Sequence, residues 1–446
     1  MTKICRFAPS PTGFLHVGNI RAAIINYLYA KNNNGKFYLR FDDTDSQRTK
    51  EEYAQGILED LKWLDIKFDK FIKQSDFLDK YEEAKNKLIA SGRLYECFET
   101  QEELALQRKS QITSGSRPIY DRSALNLTEE QKDNLRKSGA KSYYRFLLEE
   151  KIVSWEDKIK GKITYEGRHF SDPVVVRENG VPTYTFCSVV DDISFGITDI
   201  IRGEDHITNT AIQIQIFESL GAKIPDFAHL ALIVARDGKI SKREGGFDIK
   251  TLRQEGYEPM SVINLLAQIG TSKSTEIYKK IEDLASEFDF KIFSKSATNY
   301  EISELGNINQ KLIQALDFED VKARFTDLGV ADLEFAQRFW QAISANITFF
   351  GEIKEWLKIF QEDLVFENKD EDKEFLQSIE KILPQDTQNE ECWNIWLGEI
   401  KKVSDRKGKG LFMPIRNALS GKEHGPEIRH LVNLISREKI IKRLNN

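Results

Sequence analysis

Residues 6–19 read RFAPSPTGFLHVGN and connect two different apolar patterns. An apolar run predicts a strand over residues 4–8, and apolar residues spaced at i, i+3, i+4 and i+7 predict a helix over about residues 18–31. The two prolines and Gly13 continue neither element, so they predict a strand-to-helix loop. His16 then stands at the helix entry, and Gly18 lets a ligand approach backbone N–H groups that lack partners within the helix. This arrangement is typical of a phosphate-binding loop.

A second polar loop is predicted far downstream. Residues 236–243 read RDGKISKR and follow an apolar run at 229–234 that predicts a strand. A glycine turn that carries two lysines and an arginine can wrap around a polyanion. Taken alone, each loop has an ordinary explanation: the first is a structural turn with a structural histidine, and the second is a solvated basic loop.

Together, the two loops resemble the paired signatures of class I aminoacyl-tRNA synthetases, usually called HIGH and KMSKS. The run APSPTG at residues 8–13 narrows the resemblance to the bacterial glutamyl-tRNA synthetases. The runs LRFDDTD (39–45), PTY (182–184) and IRGEDH (201–206) also resemble motifs of that family. The resemblance covers nearly the whole chain.

The resemblance implies a fold of three parts. We expect an α/β Rossmann-like catalytic domain over residues 1–245, interrupted at about 85–180 by an inserted α+β acceptor-binding domain. A stem-contact region over 246–320 and an all-α anticodon-binding region over 321–446 follow. The alternation of apolar runs and helical patterns supports a parallel sheet. Within it we predict strands at 37–41, 183–190 and 196–202, and a helix at 208–220 with Thr208 as its N-cap.

The resemblance also implies an activity, the ATP-dependent attachment of L-glutamate to tRNA. A glutamate carboxylate attacks the α-phosphate of ATP, pyrophosphate leaves, and the glutamyl group passes to the 3′-terminal ribose of tRNA(Glu), with tRNA(Gln) left open as a second acceptor. Such a reaction needs no covalent enzyme nucleophile, so positioning and charge stabilisation carry it. Mg²⁺ is expected with ATP, held mostly by phosphates and water. The predicted catalytic residues are His16, Lys239 and Lys242. The predicted ATP contacts are His16, Gly18, Asn19, Lys239, Ser241, Lys242 and Arg243.

The family lines its amino-acid pocket at positions that match Arg6, Ala8, Ser10, Asp42, Tyr184, Ser188 and Arg202. Arg6 and Arg202 are the fork-shaped cations suited to the two carboxylates of glutamate. Each position also has an ordinary alternative, since a strand-end arginine is often an ion-pair partner for a run such as Asp42-Asp43. Asp42 stands where many relatives have Glu, and Ser188 stands where some have Asn.

The cysteines predict free thiols and no zinc site. Cys5, Cys97, Cys187 and Cys392 are scattered, which is typical of a reducing cytoplasm. Some relatives bind zinc in the inserted domain through three cysteines and one further ligand. Here Cys97 is the single cysteine between Cys5 and Cys187, and His169 is the nearest histidine, so we predict no zinc. No apolar run is long enough to span a membrane, so we expect a cytoplasmic protein with no membrane partner. With the activity implied by the resemblance, we expect a monomer.

The C-terminal end carries a basic footprint on an acidic chain. Residues 401–446 contain 12 Lys and Arg against 4 Asp and Glu, whereas the whole chain has a net charge of −6. The run RKGKGLFMPIR at 406–416 resembles the anticodon-reading region of the family, and a solvated helix cap is the alternative. The candidate tRNA-binding residues are Arg406, Lys407, Lys409 and Arg416.

Other functions of the same superfold fit less well. Glutaminyl-tRNA synthetases usually carry Pro-Glu-Pro in the first motif and end in β-barrels, whereas this chain has Pro-Ser-Pro and a helical end. The short glutamyl-queuosine-type relatives lack the C-terminal domain. A tRNA-binding paralogue without catalysis predicts damage at His16, Gly18, Lys239 or Lys242, and all four are intact. A nucleotidyltransferase would not need the long helical end.

Overall fold

The computed structural model describes residues 2–45, 47–235 and 248–446. The chain divides into two compact units. The first comprises residues 1–255 and 262–302, and the second comprises residues 256–261 and 303–446. The first unit mixes strands and helices, and the second is helical in its described residues, as the sequence predicts.

The first unit begins with the predicted alternation of strands and helices. Its elements up to the insertion are β1 (Ile4–Phe7), α1 (Val17–Asn32), β2 (Lys36–Phe41), α2 (Glu51–Trp63), β3 (Lys70–Lys73) and α3 (Leu78–Ala90). The next are β4 (Leu94–Cys97), α4 (Gln101–Thr113), α5 (Glu129–Lys137), β5 (Tyr143–Phe146), β6 (Ile152–Asp157), β7 (Gly161–Glu166) and β8 (Val174–Val176). The last are α6 (Tyr184–Ser194), β9 (Asp199–Gly203), α7 (Ile207–Ser219), β10 (Asp226–Leu230), β11 (Ile233–Ala235), α8 (Ile249–Gln254), α9 (Pro259–Gln268), α10 (Ile281–Ser286) and β12 (Thr298–Tyr300).

Parallel strands form the centre of the first unit. One group runs β1-β2-β3, and another runs β7-β6-β10-β9, in which β6, β10 and β9 are parallel. The N–H of Thr198, just before β9, donates to the carbonyl of Ile4 at 3.0 Å, which places β9 beside β1. The carboxyl ends of β1, β2, β9 and β10 therefore lie at one edge, where ligands of open parallel sheets bind.

The segment predicted to be an insertion contains an antiparallel sheet, in the order β4-β5-β8, and the helices α4 and α5. Each of these helices begins with a capping box. Thr100 and Glu103 form the first, and Thr128 and Gln131 form the second. Their side chains satisfy backbone donors that would otherwise lack partners. The expected α+β character of this segment is present, and its predicted borders stay predictions.

The predicted strand at 183–190 is wrong, because this segment begins helix α6. Its apolar side chains Phe186, Val189 and Val190 follow the i, i+3, i+4 spacing of a helix, and they are all buried. The first turn closes when Phe186 and Cys187 donate to the carbonyl of Thr183, both at 3.0 Å. A short apolar run that is buried on most sides does not distinguish helix from strand by composition.

Two boundaries also differ from prediction. The N-cap of α7 is His206 and not Thr208, because a short helical turn at Glu204–His206 leads directly into the helix. The apolar run at 229–234 is divided between β10 and β11, which pair with different strands.

The second unit buries a core of aromatic and aliphatic side chains. Its helices are α11 (Ile302–Ala315), α12 (Phe318–Asp327), α13 (Leu333–Ile343), α14 (Ile353–Gln361), α15 (Asp370–Glu380), α16 (Cys392–Val403), α17 (Lys409–Ser420), α18 (Ile428–Leu434) and α19 (Arg437–Leu444). The first residue of α11 belongs to the first unit, and the rest of that helix belongs to the second. Phe339, Trp356 and Trp396 lie in one cluster. Arg443 is also buried, and its guanidinium donates to the carbonyls of Ile359 and Leu419. This arginine therefore ties three helical segments together.

Candidate active site

The loop between β1 and α1 places His16 at the start of the helix. His16 is the N-cap of α1, and its Nδ1 accepts the backbone N–H of Gly18 at 3.1 Å. Since Nδ1 is an acceptor, the proton of the neutral imidazole is on Nε2, which is therefore a donor. A Cβ added at Gly18 would lie 3.0 Å from Cε1 of His16, so glycine at this position leaves the space that the imidazole ring occupies. Asn19 follows in the first turn.

The described chain resumes beside this loop after residues 236–247. Asp248 forms an isolated antiparallel bridge with His16, and the N–H of Ile249 donates to the carbonyl of Leu15 at 3.2 Å. The predicted residues Lys239, Ser241, Lys242 and Arg243 lie outside the described residues. Asp248, the first residue described after them, lies next to His16.

Arg6 and Asp42 belong to one buried charge network. The Arg6 guanidinium donates to Asp192, with Nε 3.1 Å from Oδ1. Arg40 donates to the same Asp192 oxygen and to Oδ1 of Asp42, both at 2.7 Å. Arg40, Asp42 and Asp192 are all buried. Two cations thus share two carboxylates, and each charge has a partner.

Burial dominates the titration of these carboxyls. It raises the pKa of Asp42 above its ordinary value, against the opposing field of Arg40. It also raises the pKa of the neighbouring Asp191 to about 6, although Arg40 and the amide of Gln74 oppose the shift. Burial would lower the pKa of Arg40, but the surrounding carboxylates hold it well above the ordinary value. Arg40 therefore stays charged and anchors the network.

Arg202 is a buried cation whose hydrogen-bond acceptors in the described structure are neutral. It is 6% exposed. Its acceptors are the Tyr184 hydroxyl at 3.2 Å, Thr210 Oγ1 at 2.6 Å, Gln213 Oε1 at 2.7 Å and His229 Nε2 at 3.5 Å. These contacts use four of its five N–H bonds, and one N–H of Nη1 has no acceptor among the described residues. Burial lowers the pKa of Arg202, and the field of Arg6 adds to the shift, although Tyr184 and the more distant Asp192 oppose it.

The other predicted pocket residues lie around these two arginines or on the loop. Ser188 is buried one turn after Tyr184, and its hydroxyl accepts the amide of Gln213 at 2.7 Å. Ala8 and Ser10 lie on the loop after β1, half-buried and exposed respectively. Between them, the carbonyl of Pro9 accepts the N–H of Asp42 at 3.1 Å. Arg6 and Asp42 are thus connected through Asp192 and Arg40, whereas Arg202 contacts Tyr184 directly and Ser188 through Gln213.

Sequence reasoning missed several members of the site. Arg40, Asp192 and Gln213 carry the hydrogen bonds that connect the predicted residues. His206 also belongs here, since its ring lies 5.4 Å from that of Tyr184. Burial lowers the pKa of His206 to about 4, and the nearby Arg202 adds to the shift, so the imidazole is neutral at neutral pH. A charged residue in an apolar strand, such as Arg40 in KFYLRF, is the signal that could have found the network.

The four predicted tRNA-binding residues differ in how they are engaged. Lys407 and Lys409 are exposed on either side of Gly408, whose φ is +53°. Arg406 instead pairs with Asp372, donates to the carbonyl of Glu371 and lies 4.5 Å above the ring of Phe375. Arg416 donates to the carbonyl of Pro426 at 2.7 Å, and burial lowers its pKa. The two lysines are the side chains presented to solvent.

The surroundings of Cys97 are filled by hydrogen-bonded oxygen groups. Its buried thiol lies 3.9 Å from the hydroxyl of Tyr120. That hydroxyl donates to Glu99 at 2.6 Å, and Ser123 and Tyr143 donate to the same carboxylate at 3.0 and 3.1 Å. Within 2–45, 47–235 and 248–446, no group of three or more His, Cys, Asp or Glu side chains could hold a metal ion.

Comparison with family models places both units. Residues 4–307 match the model of the class I tRNA synthetases (E and Q), catalytic domain, and residues 310–446 match an anticodon binding domain.

Known relatives match over the full length. Glutamate–tRNA ligase 1 of Rickettsia massiliae is 49% identical, and the match covers 100% of both chains. Among solved structures, a glutamate tRNA ligase from Elizabethkingia meningosepticum in complex with its amino acid is 27% identical, with a TM-score of 0.85 over 100% of this chain and 99% of that chain. The glutamate-tRNA synthetase of Elizabethkingia anophelis is 28% identical, with a TM-score of 0.84 and the same coverage. The chain therefore belongs to the glutamate–tRNA ligase family of class I tRNA synthetases.

In the described part of the chain, no helix combines the length and the apolar character needed to cross a membrane.

Proposed function

We propose that this chain activates L-glutamate with ATP, expelling pyrophosphate, and then transfers the glutamyl group to the 3′-terminal ribose of tRNA(Glu). The proposal rests on membership of the family and on the names of its full-length relatives. The structural observation that carries it is Arg202, a buried guanidinium whose acceptors among the described residues are uncharged.

The chemistry of Arg202 favours an anionic amino acid. A buried cation with no carboxylate among its hydrogen-bond acceptors can pair with a charged ligand, and one N–H of Nη1 remains to be donated. The amide of glutamine brings no negative charge to offset the desolvated guanidinium, so glutamate is favoured over glutamine. Arg6 acts on the ligand from β1, and Asp192 neutralises part of its charge. The two arginines thus differ in the charge they present.

In this proposal the loop after β1 binds the phosphates of ATP. The Nε2–H of His16 and the backbone N–H groups at the start of α1 can donate to the phosphates of ATP, which enters with its Mg²⁺. We assign Lys239 and Lys242 to the opposite side of the transferring phosphorus, with Ser241 and Arg243 shaping their loop. The support is the bridge between His16 and Asp248, the first residue described after this segment of sequence.

For the nucleic acid, the second unit offers Lys407 and Lys409. Exposed cations beside a glycine with positive φ allow close approach to phosphates. We propose that these lysines contact the anticodon region of tRNA, that Arg406 and Arg416 shape the surface around them, and that the protein works as a monomer.

A charging assay tests this proposal. Purified tRNA is incubated with ATP, Mg²⁺ and radiolabelled glutamate or glutamine, and the accepting species are identified. We expect ATP-dependent attachment of glutamate to tRNA(Glu) and no attachment of glutamine. The identity of the accepting tRNA also shows whether tRNA(Gln) is charged with glutamate. Attachment of glutamine alone, or no ATP-dependent attachment, would contradict the proposal.

A further inference from the structure

The pocket cation Arg202 is attached to a buried histidine–aspartate pair on neighbouring strands. His229 on β10 is directly opposite Arg202 on β9 in the parallel register. Its Nδ1 lies 2.5 Å from Oδ2 of Asp157, at the end of β6, and both side chains are fully buried. The rings of Trp155 and Phe227 lie beside the imidazole, with centroids at 6.4 and 6.1 Å.

The hydrogen bonds determine which nitrogen of His229 carries a proton. Oδ1 of Asp157 accepts three backbone N–H groups, from Ile159 at 3.0 Å, Lys160 at 2.9 Å and His229 at 3.2 Å. Although burial alone would raise the pKa of Asp157, the hydrogen bond from His229 and these N–H groups lower it, so the carboxylate is ionised. An ionised carboxylate only accepts, so Nδ1 of His229 is the donor and Nε2 of the neutral ring is an acceptor.

That acceptor faces Arg202 and its hydroxyl partner. Nε2 lies 2.9 Å from Oγ1 of Thr210 and 3.5 Å from Nε of Arg202. When Thr210 donates its proton to His229, its oxygen is left to accept Nη2 of Arg202 at 2.6 Å. His229 therefore fixes the guanidinium both directly and through Thr210. Burial and the field of Arg202 lower the pKa of His229, although Asp157 opposes them, so the ring keeps its acceptor.

We propose that His229, held in one tautomer by Asp157, is a positioning residue that orients Arg202 toward a carboxylate of the amino-acid substrate. The inference rests on the proposed function, because it assigns Arg202 to glutamate. The side chains of His229 and Asp157 are both fully buried. Their effect passes through Arg202, in the way that a carboxylate orients a catalytic imidazole in hydrolases.

Two isosteric substitutions separate positioning from simple packing. Asp157→Asn keeps an oxygen for the three backbone N–H groups but places an NH₂ opposite Nδ1 of His229. Nδ1 must then accept, so the ring proton moves to Nε2 and faces the Arg202 guanidinium. His229→Asn keeps a donor toward Asp157 and removes the acceptor at Nε2. We expect each variant to raise KM for glutamate by roughly 10- to 100-fold, because small displacements of a binding group have effects of that order. KM for ATP should be unchanged.

His229→Gln is the rescuing variant. Its amide oxygen can occupy the position of Nε2 and accept from Thr210 and Arg202, so KM for glutamate should rise less than in His229→Asn. His430→Gln, a half-buried histidine of the second unit, is the matched control and should leave KM for glutamate unchanged. In an Arg202→Lys background, His229→Asn should add no further rise, because its effect passes through Arg202.

The experiment measures tRNA charging at varied glutamate and at varied ATP, with thermal unfolding of every variant. Wild-type protein that does not charge tRNA with glutamate would contradict the proposed function. With an active wild type, the inference is wrong if Asp157→Asn and His229→Asn behave like His430→Gln. It is also wrong if these two variants raise KM for glutamate and KM for ATP together. A lower melting temperature with no selective change in KM for glutamate would contradict it as well.

Discussion

The backbone N–H of Gly18 donates to Nδ1 of His16 across 3.1 Å, and the ring of His16 occupies the space that a side chain at residue 18 would need. A Cβ there would lie 3.0 Å from Cε1 and 3.1 Å from Nδ1 of the imidazole. We predict that Gly18→Ala displaces His16 and lowers the rate of ATP–pyrophosphate exchange by roughly 10²-fold, as loss of one placed donor typically does. The measurement is exchange in the presence of tRNA.

Gly13→Ala is the matched control in the same loop. A Cβ at Gly13 meets nothing within 4 Å of the described structure, so its exchange rate should stay close to that of the wild type. The two variants should have similar melting temperatures. If Gly18→Ala keeps full activity, the imidazole is not held by this contact.

The sequence predicted the elements and the loop of the site better than the network behind it. The strand β1, the helix α1 and the position of His16 at its entry follow from local pattern and from proline and glycine chemistry. Asp192 could not be found that way, because it lies between two segments predicted to be strands and reaches Arg6 across 186 residues of chain. Which carboxylate pairs with which arginine is set by tertiary packing, and Arg202 gave no signal that it would be left without one.

The same limit applies to the basic C-terminal run. Composition predicted a cationic surface at residues 406–416 but treated its members alike. Arg406 and Lys407 are adjacent in sequence, yet one pairs with Asp372 and the other faces solvent. Local charge density does not show which cations an acidic neighbour has already neutralised.

A further prediction concerns zinc and the carboxylate near Cys97. We expect purified protein to contain far less than one zinc per chain by elemental analysis. Glu99 crosslinks this segment by accepting from Tyr120, Ser123 and Tyr143. Burial would raise the pKa of Glu99, but these hydrogen bonds lower it, so its contribution is present above the ordinary pKa and is lost as pH falls through the folded value.

Glu99→Ala should therefore lower the free energy of unfolding by about 1–3 kcal/mol, because it leaves buried hydroxyls without an acceptor. Urea denaturation at neutral pH measures this change. Glu150→Ala, which removes an exposed partner of Arg122 in the same segment, should cost well under 1 kcal/mol. A stoichiometric zinc, or equal effects of the two substitutions, would show that Glu99 is not the crosslink.

The ionisation of the buried Asp60 should make the stability of the protein depend on pH. Its side chain is 1% exposed, neither oxygen has a hydrogen-bond partner in the described structure, and Arg253 lies 3.6 Å away. Burial raises the pKa of Asp60 to about 7, against the opposing field of Arg253. Between its ordinary value near 4 and about 7, the folded protein binds more protons than the unfolded chain, so stability falls as pH rises through this window.

Asp60→Asn removes the ionisation and should flatten that decline. We expect it to raise the free energy of unfolding by about 1–3 kcal/mol at pH 8 and to change it little at pH 5. The neighbouring Glu59→Gln is the control, since Glu59 is exposed and touches the same Arg253 at 3.1 Å. Denaturation of the three proteins at both pH values measures the effect. A variant curve parallel to that of the wild type would mean that Asp60 is ionised throughout.

The exposed lysines of the second unit should affect tRNA binding without affecting stability. Lys407→Ala and Lys409→Ala each remove a cation that faces solvent, so each should weaken tRNA affinity. Each should also reduce the slope of log affinity against log salt concentration by about one for every phosphate that the lysine neutralises.

Arg406→Ala should instead lower the melting temperature, because it breaks the contacts with Asp372 and Glu371. Lys373→Ala controls for loss of surface charge, since Lys373 is already paired with Asp370 at 2.9 Å. Filter binding at several salt concentrations separates these cases, and an unchanged salt slope in both lysine variants would move the tRNA contact away from residues 406–416.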